Sequence, residues 1–163
     1  MKKILALMLA VMTVVSLTAC GSSGSGDKGG DKPGDTMSLT EMADKLYEGI
    51  SEDQLPMMLT TTELTADMYE GVLFIPAIEG AEAVSSESMV GSIAHSVALL
   101  RLPEGSDVEA VRADIEKNMN PAKWICVQAE KTGVIAHGNT ILMVMTDAAK
   151  YDTIVKNFGA LWA

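Results

Sequence analysis

Residues 141–145 read Ile-Leu-Met-Val-Met, an unbroken apolar run between Thr140 and Thr146. Successive strand side chains point to opposite faces, so a strand of this composition needs cover on both sides. The run therefore predicts an interior strand of a sheet that carries packing above and below. Just ahead, Gly138-Asn139 follows Val134-Ile135-Ala136-His137. This reads as a hairpin with a two-residue turn joining 134–137 to 140–146. Asp147 then stands where a helix N-cap belongs, and Tyr151, Ile154, Val155, Phe158, Leu161 and Trp162 recur at helical spacing.

The remaining elements are read against this C-terminal frame. Ser38 with Glu41 three residues on is a capping box, and Leu39, Met42, Ala43, Leu46 and Ile50 form one apolar stripe. Residues 63–70 predict a short helix. Residues 71–75 (Gly-Val-Leu-Phe-Ile) predict a strand that Pro76 ends or confines to an edge. Residues 83–90 and 96–102 predict two more strands, the second stopped by Pro103-Glu104-Gly105. Ser106 with Glu109 suggests a second capping box, opening a helix marked by Val108, Val111, Ile115 and Met119. That helix must end near Asn120-Pro121, because proline disfavours a helical predecessor. Residues 121–130 fit either a short helix capped by Asn120 or a strand. The sum is an α+β class: a small, mainly antiparallel sheet with helices packed on it.

The first residues are a separate object. Lys2 and Lys3 precede an uncharged apolar stretch over 4–15, and Leu17-Thr18-Ala19-Cys20 closes it. A basic start, a short apolar region and small residues before a cut describe an export signal. A helix over 4–19 would be about 24 Å long, short of the ~30 Å hydrocarbon core, so a permanent membrane span is the weaker reading. The Leu-x-Ala-Cys tetrad resembles the lipobox of bacterial lipoproteins. That resemblance implies cleavage between Ala19 and Cys20 and diacylglyceryl transfer to the Cys20 thiol. The mature chain would then sit on a membrane, facing outward. Residues 21–35 (GSSGSGDKGGDKPGD) carry no apolar side chain, and such a segment is expected to stay disordered, spanning roughly 20 Å. The expected organisation is a signal peptide over 1–19, a lipidated cysteine and linker over 20–36, and one domain over 37–163.

A broader resemblance rests on Asn-Pro-Ala-Lys-Trp-Ile-Cys-Val (120–127), on the Gly-Asn turn before a hydrophobic strand ending Met-Thr-Asp (145–147), and on the lipobox. Over about residues 38–158 the chain resembles a family of Gram-positive lipoproteins carrying a domain of unknown function. The resemblance implies an exported, lipid-anchored α+β domain and brings no catalytic residue or cofactor with it.

Charge narrows the partners. The 22 acidic residues outnumber the 12 basic ones and give a formal charge of −10. A polyanion needs a basic face, so nucleic acid is an unfavourable ligand. No Lys or Arg occurs between Lys45 and Arg101, where nine carboxylates fall. This half reads as an acidic face for a cationic partner or divalent ions, or as a solvated face that keeps the protein dispersed. Glu63, Asp67 and Glu70, at i, i+4, i+7 spacing, would share a helix face. Phe74 and Ile75 lie in an apolar segment over 71–78 bounded by Glu70 and Glu79. These five are the candidate interaction surface, with an edge strand finishing the core as the alternative.

Catalytic and metal motifs are sparse. There is no Gly-x-Ser-x-Gly elbow, HExxH, CxxC or phosphate loop. His95, between Ser92 and Ser96, is a conceivable base but reads more simply as a polar residue at a strand end. His137 beside the turn reads as solvated. Cys126, flanked by Ile125 and Val127, reads as a small buried hydrophobe. Met57-Met58 are candidates for exposure, whereas Met143 and Met145 belong to the core. The expected function is a lipid-anchored, extracytoplasmic lipoprotein with a binding or accessory role, no catalytic residues, no metal and no cofactor. Its contacts would be the membrane through Cys20 and an envelope protein or small ligand. The alternative is a small envelope enzyme or metal-handling protein using His95 with nearby Ser or Met residues.

Overall fold

The computed structural model describes residues 32–163; the leader, Cys20 and the linker up to residue 31 lie outside the described residues. The apolar run becomes β5 (Thr140–Thr146), buried along its whole length. It lies between β3 (Ser96–Arg101) and β4 (Lys131–His137), while β2 (Glu82–Ser88) and β1 (Leu59–Glu63) extend the sheet on the far side of β3. The order is β1-β2-β3-β5-β4, and every neighbouring pair is antiparallel. The α+β class with helices packed on an antiparallel sheet is what the sequence predicts.

Alternation along β3 and β5 divides the core in two. Val97 and Leu99 oppose Val144 and Leu142 in register, and these four face α2 (Leu39–Leu46) and α5 (Ala148–Ala160). Met42, Leu46, Ile154 and Phe158 fill that side and are completely buried. Ala98 and Leu100 oppose Met143 and Ile141 and point the other way. There Ile115 from α4 (Val108–Asn118) meets Tyr69 and Val72 from the short α3 (Tyr69–Val72).

Helix starts follow the caps. The Ser38 hydroxyl accepts from the Glu41 amide and the Glu41 carboxylate accepts from the Ser38 amide, closing the capping box. Asp147 accepts from the Lys150 amide to start α5. At α4 the cap is Asp107, which accepts from Ala110, one residue later than the Ser106 box implied. Ser106 instead donates to the Pro103 carbonyl at 2.7 Å.

Three segments depart from their expected form. Thr60-Thr61-Thr62 are β-branched and pair with β2, so residues 59–63 are strand, followed by a 3-10 turn (Ala66–Met68) and α3. Residues 71–75 are not a strand: Val72, Leu73 and Ile75 drop into the core from the end of α3, and Phe74 takes φ +62° to turn the chain. Residues 121–130 are neither helix nor strand but an irregular loop, pinned where Asn120 accepts from the Ala122 amide.

The ordered unit also begins ahead of Met37. Pro33–Thr36 form one helical turn, α1, docked against the C-terminus. The Gly34 amide donates to the Leu161 carbonyl, and Trp162 Nε1 donates to Asp35 Oδ1 at 2.9 Å. The Arg101 guanidinium donates to the carbonyls of Gly34 and Met37. Backbone polar groups and a glycine can thus be fastened without any apolar side chain from the linker.

Gly34 has no room for a side chain, because a Cβ there would overlap the Trp162 indole. Gly34→Val should destabilise the domain by about 1–3 kcal/mol through overpacking. Urea unfolding followed by tryptophan fluorescence checks this; an unchanged midpoint would show that α1 is not docked.

Candidate functional site

The chain enters at the sheet end that carries Arg101, Thr140 and His137, since Gly34 and Asp35 are held there. The opposite end carries Ser88, Ser96, Lys131 and Thr146. Unusual chemistry gathers at this second end, in three layers.

The deepest layer is a chain of buried polar groups on the α2–α5 side. His95 is 1% exposed. Its Nδ1 lies 2.8 Å from the Thr146 hydroxyl and its Nε2 2.8 Å from the Tyr47 hydroxyl. Tyr47 also meets the Ser86 hydroxyl, to which Thr61 donates. Burial lowers the His95 pKa to about 4; Lys150 nearby adds to this, while Asp147 and Glu87 oppose it. Burial also drives the Tyr47 phenol upward. Both groups are therefore neutral at pH 7. Neutral His95 donates from one ring nitrogen and accepts at the other, so both nitrogens are taken up by hydroxyls within the fold, shielded from solvent. The neighbouring Ser96 lies on the face opposite His95, where its hydroxyl accepts from Lys123.

Because the folded pKa lies below the ordinary value of 6.5, unfolded His95 takes up its proton first on acidification. Stability present above pH 6.5 should fall as pH drops toward about 4, by at most about 3 kcal/mol. Urea unfolding at pH 7.0 and 4.5, with His95→Gln for comparison, measures this. A pH dependence as steep in the variant as in the parent would remove His95 as its source.

The second layer is the 121–130 loop, held down by Lys123. Its ammonium reaches Glu87 at 2.6 Å and Ser96 Oγ at 3.1 Å, with the Phe74 and Trp124 rings 5.8 and 5.4 Å away. The ion pair is largely shielded, so each partner depends on the other for solvation. Sequence reading missed Lys123, and nothing local to residues 120–127 points to a carboxylate 36 positions earlier. Lys123→Ala should cost about 1–3 kcal/mol and leave Glu87 half-buried without its cation. The same variant should raise the alkylation rate of Cys126 several-fold as the loop comes free; an unaltered rate would show that something else holds the loop.

The outermost layer is exposed. Met57, Met58, Met89 and Ile125 are the large apolar side chains left in water, between 64% and 84% exposed. All four lie at this end, Met57-Met58 just before β1, Met89 just after β2 and Ile125 in the loop. Among the described residues, Met58, Phe74 and Cys126 are the non-glycine residues with positive φ, at +53°, +62° and +69°. They too sit around the Lys123 loop and the β1–β2 corner. Strained backbone and exposed apolar side chains thus coincide at this end, which makes it the candidate surface. Cys126 is exposed, against the expectation of burial, in a loop where Ile125 beside it is exposed too and where Cys126 itself takes a left-handed φ of +69°.

The residues expected to form the interaction surface are dispersed. Glu63 ends β1, Asp67 accepts from Thr65 within the 3-10 turn, and Glu70 is exposed in α3. No helix spans 63–70, so their i, i+4, i+7 spacing brings them to no common face. Ile75 is core, 5% exposed. Phe74 alone of the five touches the Lys123 loop. A groove of about 370 Å³ does run between residues 75–78 and Val111, Asp114 and Asn118 of α4. Among the described residues no group of three or more His, Cys, Asp or Glu side chains is placed to hold a metal. Comparison with protein families, characterised proteins and solved structures finds no match to this chain.

Proposed function

We propose that this protein is a lipoprotein held by acylated Cys20 on the outer face of a cell membrane, with a domain that binds a partner instead of catalysing a reaction. One observation carries the reading: the chain enters the domain at one end of the sheet, while the exposed apolar and strained residues lie at the other. A domain hung from Gly34 and Arg101 would present Met57, Met58, Met89, Ile125 and the Lys123 loop away from its anchor. The apolar character of that end suits an envelope protein with an apolar contact surface, and the net charge of −10 argues against nucleic acid. The export signal and the Leu-x-Ala-Cys tetrad supply the location.

The test has two arms in living cells. Labelled fatty acid should enter the protein, and Cys20→Ala should abolish the label and release the chain from membranes. A photo-crosslinker at position 125 should capture a discrete protein, whereas one at Glu104, near the entry end, should not. Label that survives Cys20→Ala would sink the anchor. Equal capture from both positions would sink the distal binding surface.

A second reading, metal handling, is favoured by the methionine corner alone. It does not draw on His95, whose ring nitrogens are occupied by Tyr47 and Thr146.

A further inference from the structure

We propose that Met57, Met58 and Met89 form a site for one soft monovalent cation of the Cu(I) and Ag(I) class. The β1–β2 register sets Leu59 opposite Ser88, so Met58 and Met89 are the next rung. The ladder continues through them, because the Met89 amide donates to the Met58 carbonyl at 3.1 Å. Ser88 Oγ donates to the Met57 carbonyl at 2.8 Å, and the Leu59 amide donates to the Pro56 carbonyl, closing a tight turn over Met57-Met58. Three methionine backbones are thereby fixed side by side at one sheet corner. Their unbranched side chains are long enough to bring three sulfurs to a common point.

The distribution of methionine is the second observation. Met42, Met143 and Met145 are fully buried, so the fold has core positions for thioethers and uses them. Met57, Met58 and Met89 are instead 64–66% exposed, and Met58 is additionally held at φ +53°, where an unbranched non-glycine residue pays a steric cost. Exposing three such side chains together forgoes burial energy without serving the core. Soft thioether donors select Cu(I) over hard cations.

Thioethers carry no proton to displace, so binding here should be insensitive to pH where His or Cys sites weaken. This inference deepens the metal-handling reading and is independent of partner capture through position 125.

Ag(I), which needs no reductant, is the probe. The chain is isolated in the form its cells make, with Cys126→Ser to remove the exposed thiol, and bound silver is counted by native mass spectrometry at pH 7 and pH 5. We expect one equivalent that disappears in the Met57→Leu/Met58→Leu/Met89→Leu variant, at both pH values, with circular dichroism unchanged. Each single Met→Leu exchange should weaken binding at least tenfold, and in methyl NMR three methionine signals should move together on titration. Silver bound in equal stoichiometry by the parent and the triple variant, or the difference between them lost at pH 5, would overturn the site. A thiol left free at Cys20 would hold silver equally in parent and variant and so cancels from the comparison.

Discussion

The pairing of β3 with β5 is the contact on which the molecule depends. These two strands supply consecutive apolar residues, so the ladder between them is dry on both faces. One set of alternate side chains, Val97, Leu99, Leu142 and Val144, calls for α2 and α5; the other, Ala98, Leu100, Ile141 and Met143, calls for α3 and α4. A one-residue slip would exchange the two sets and mismatch both helical layers at once. The register is pinned at one end by Leu102 and Asn139, where the Leu102 amide donates to the Asn139 carbonyl and Asn139 Nδ2 donates to the Leu102 carbonyl, and at the other by the bond between His95 and Thr146.

The two sheet ends are built from different materials. The entry end is closed by backbone carbonyls, one guanidinium and the stack of His137 on Trp162, with ring centroids 5.3 Å apart. The far end combines a buried chain of hydroxyls and imidazole, one shielded ion pair and a rim of unburied thioethers. Polar groups in such a chain are costly when unmatched, yet among the described residues no buried side-chain polar atom lacks a partner. The buried chain thus fixes the far end on the α2–α5 face, while Lys123 fastens the irregular loop on the other.

What could be read ahead of the structure follows from the range of the forces involved. The β4–β5 hairpin, the caps at Ser38 and Asp147 and the double-faced apolar run are local, and each appears where its residues predict. The 71–75 segment misleads because apolar content alone does not separate a strand from a turn that drops its side chains into a core. Cys126 misleads for the opposite reason: its apolar neighbours in sequence do not become apolar surroundings, because the irregular loop leaves Ile125 and Cys126 at the surface while Lys123 fastens it to the sheet. Glu63, Asp67 and Glu70 kept their helical spacing on paper while three threonines committed their segment to a ladder with β2. The far-end site was only half visible. Met57-Met58 stood out as candidates for exposure, but Met89 joins them through strand pairing 31 positions away, and His95 reaches Tyr47 and Thr146 across comparable separations.

The docking of Gly34 on Leu161 brings the two extremes of the described residues into hydrogen-bonding contact. Over those residues the backbone is in effect a closed loop, cut beside the Trp162 ring. The strand order therefore owes nothing to where that cut falls, and the domain could be rejoined there and opened between β2 and β3 without any strand changing its neighbour.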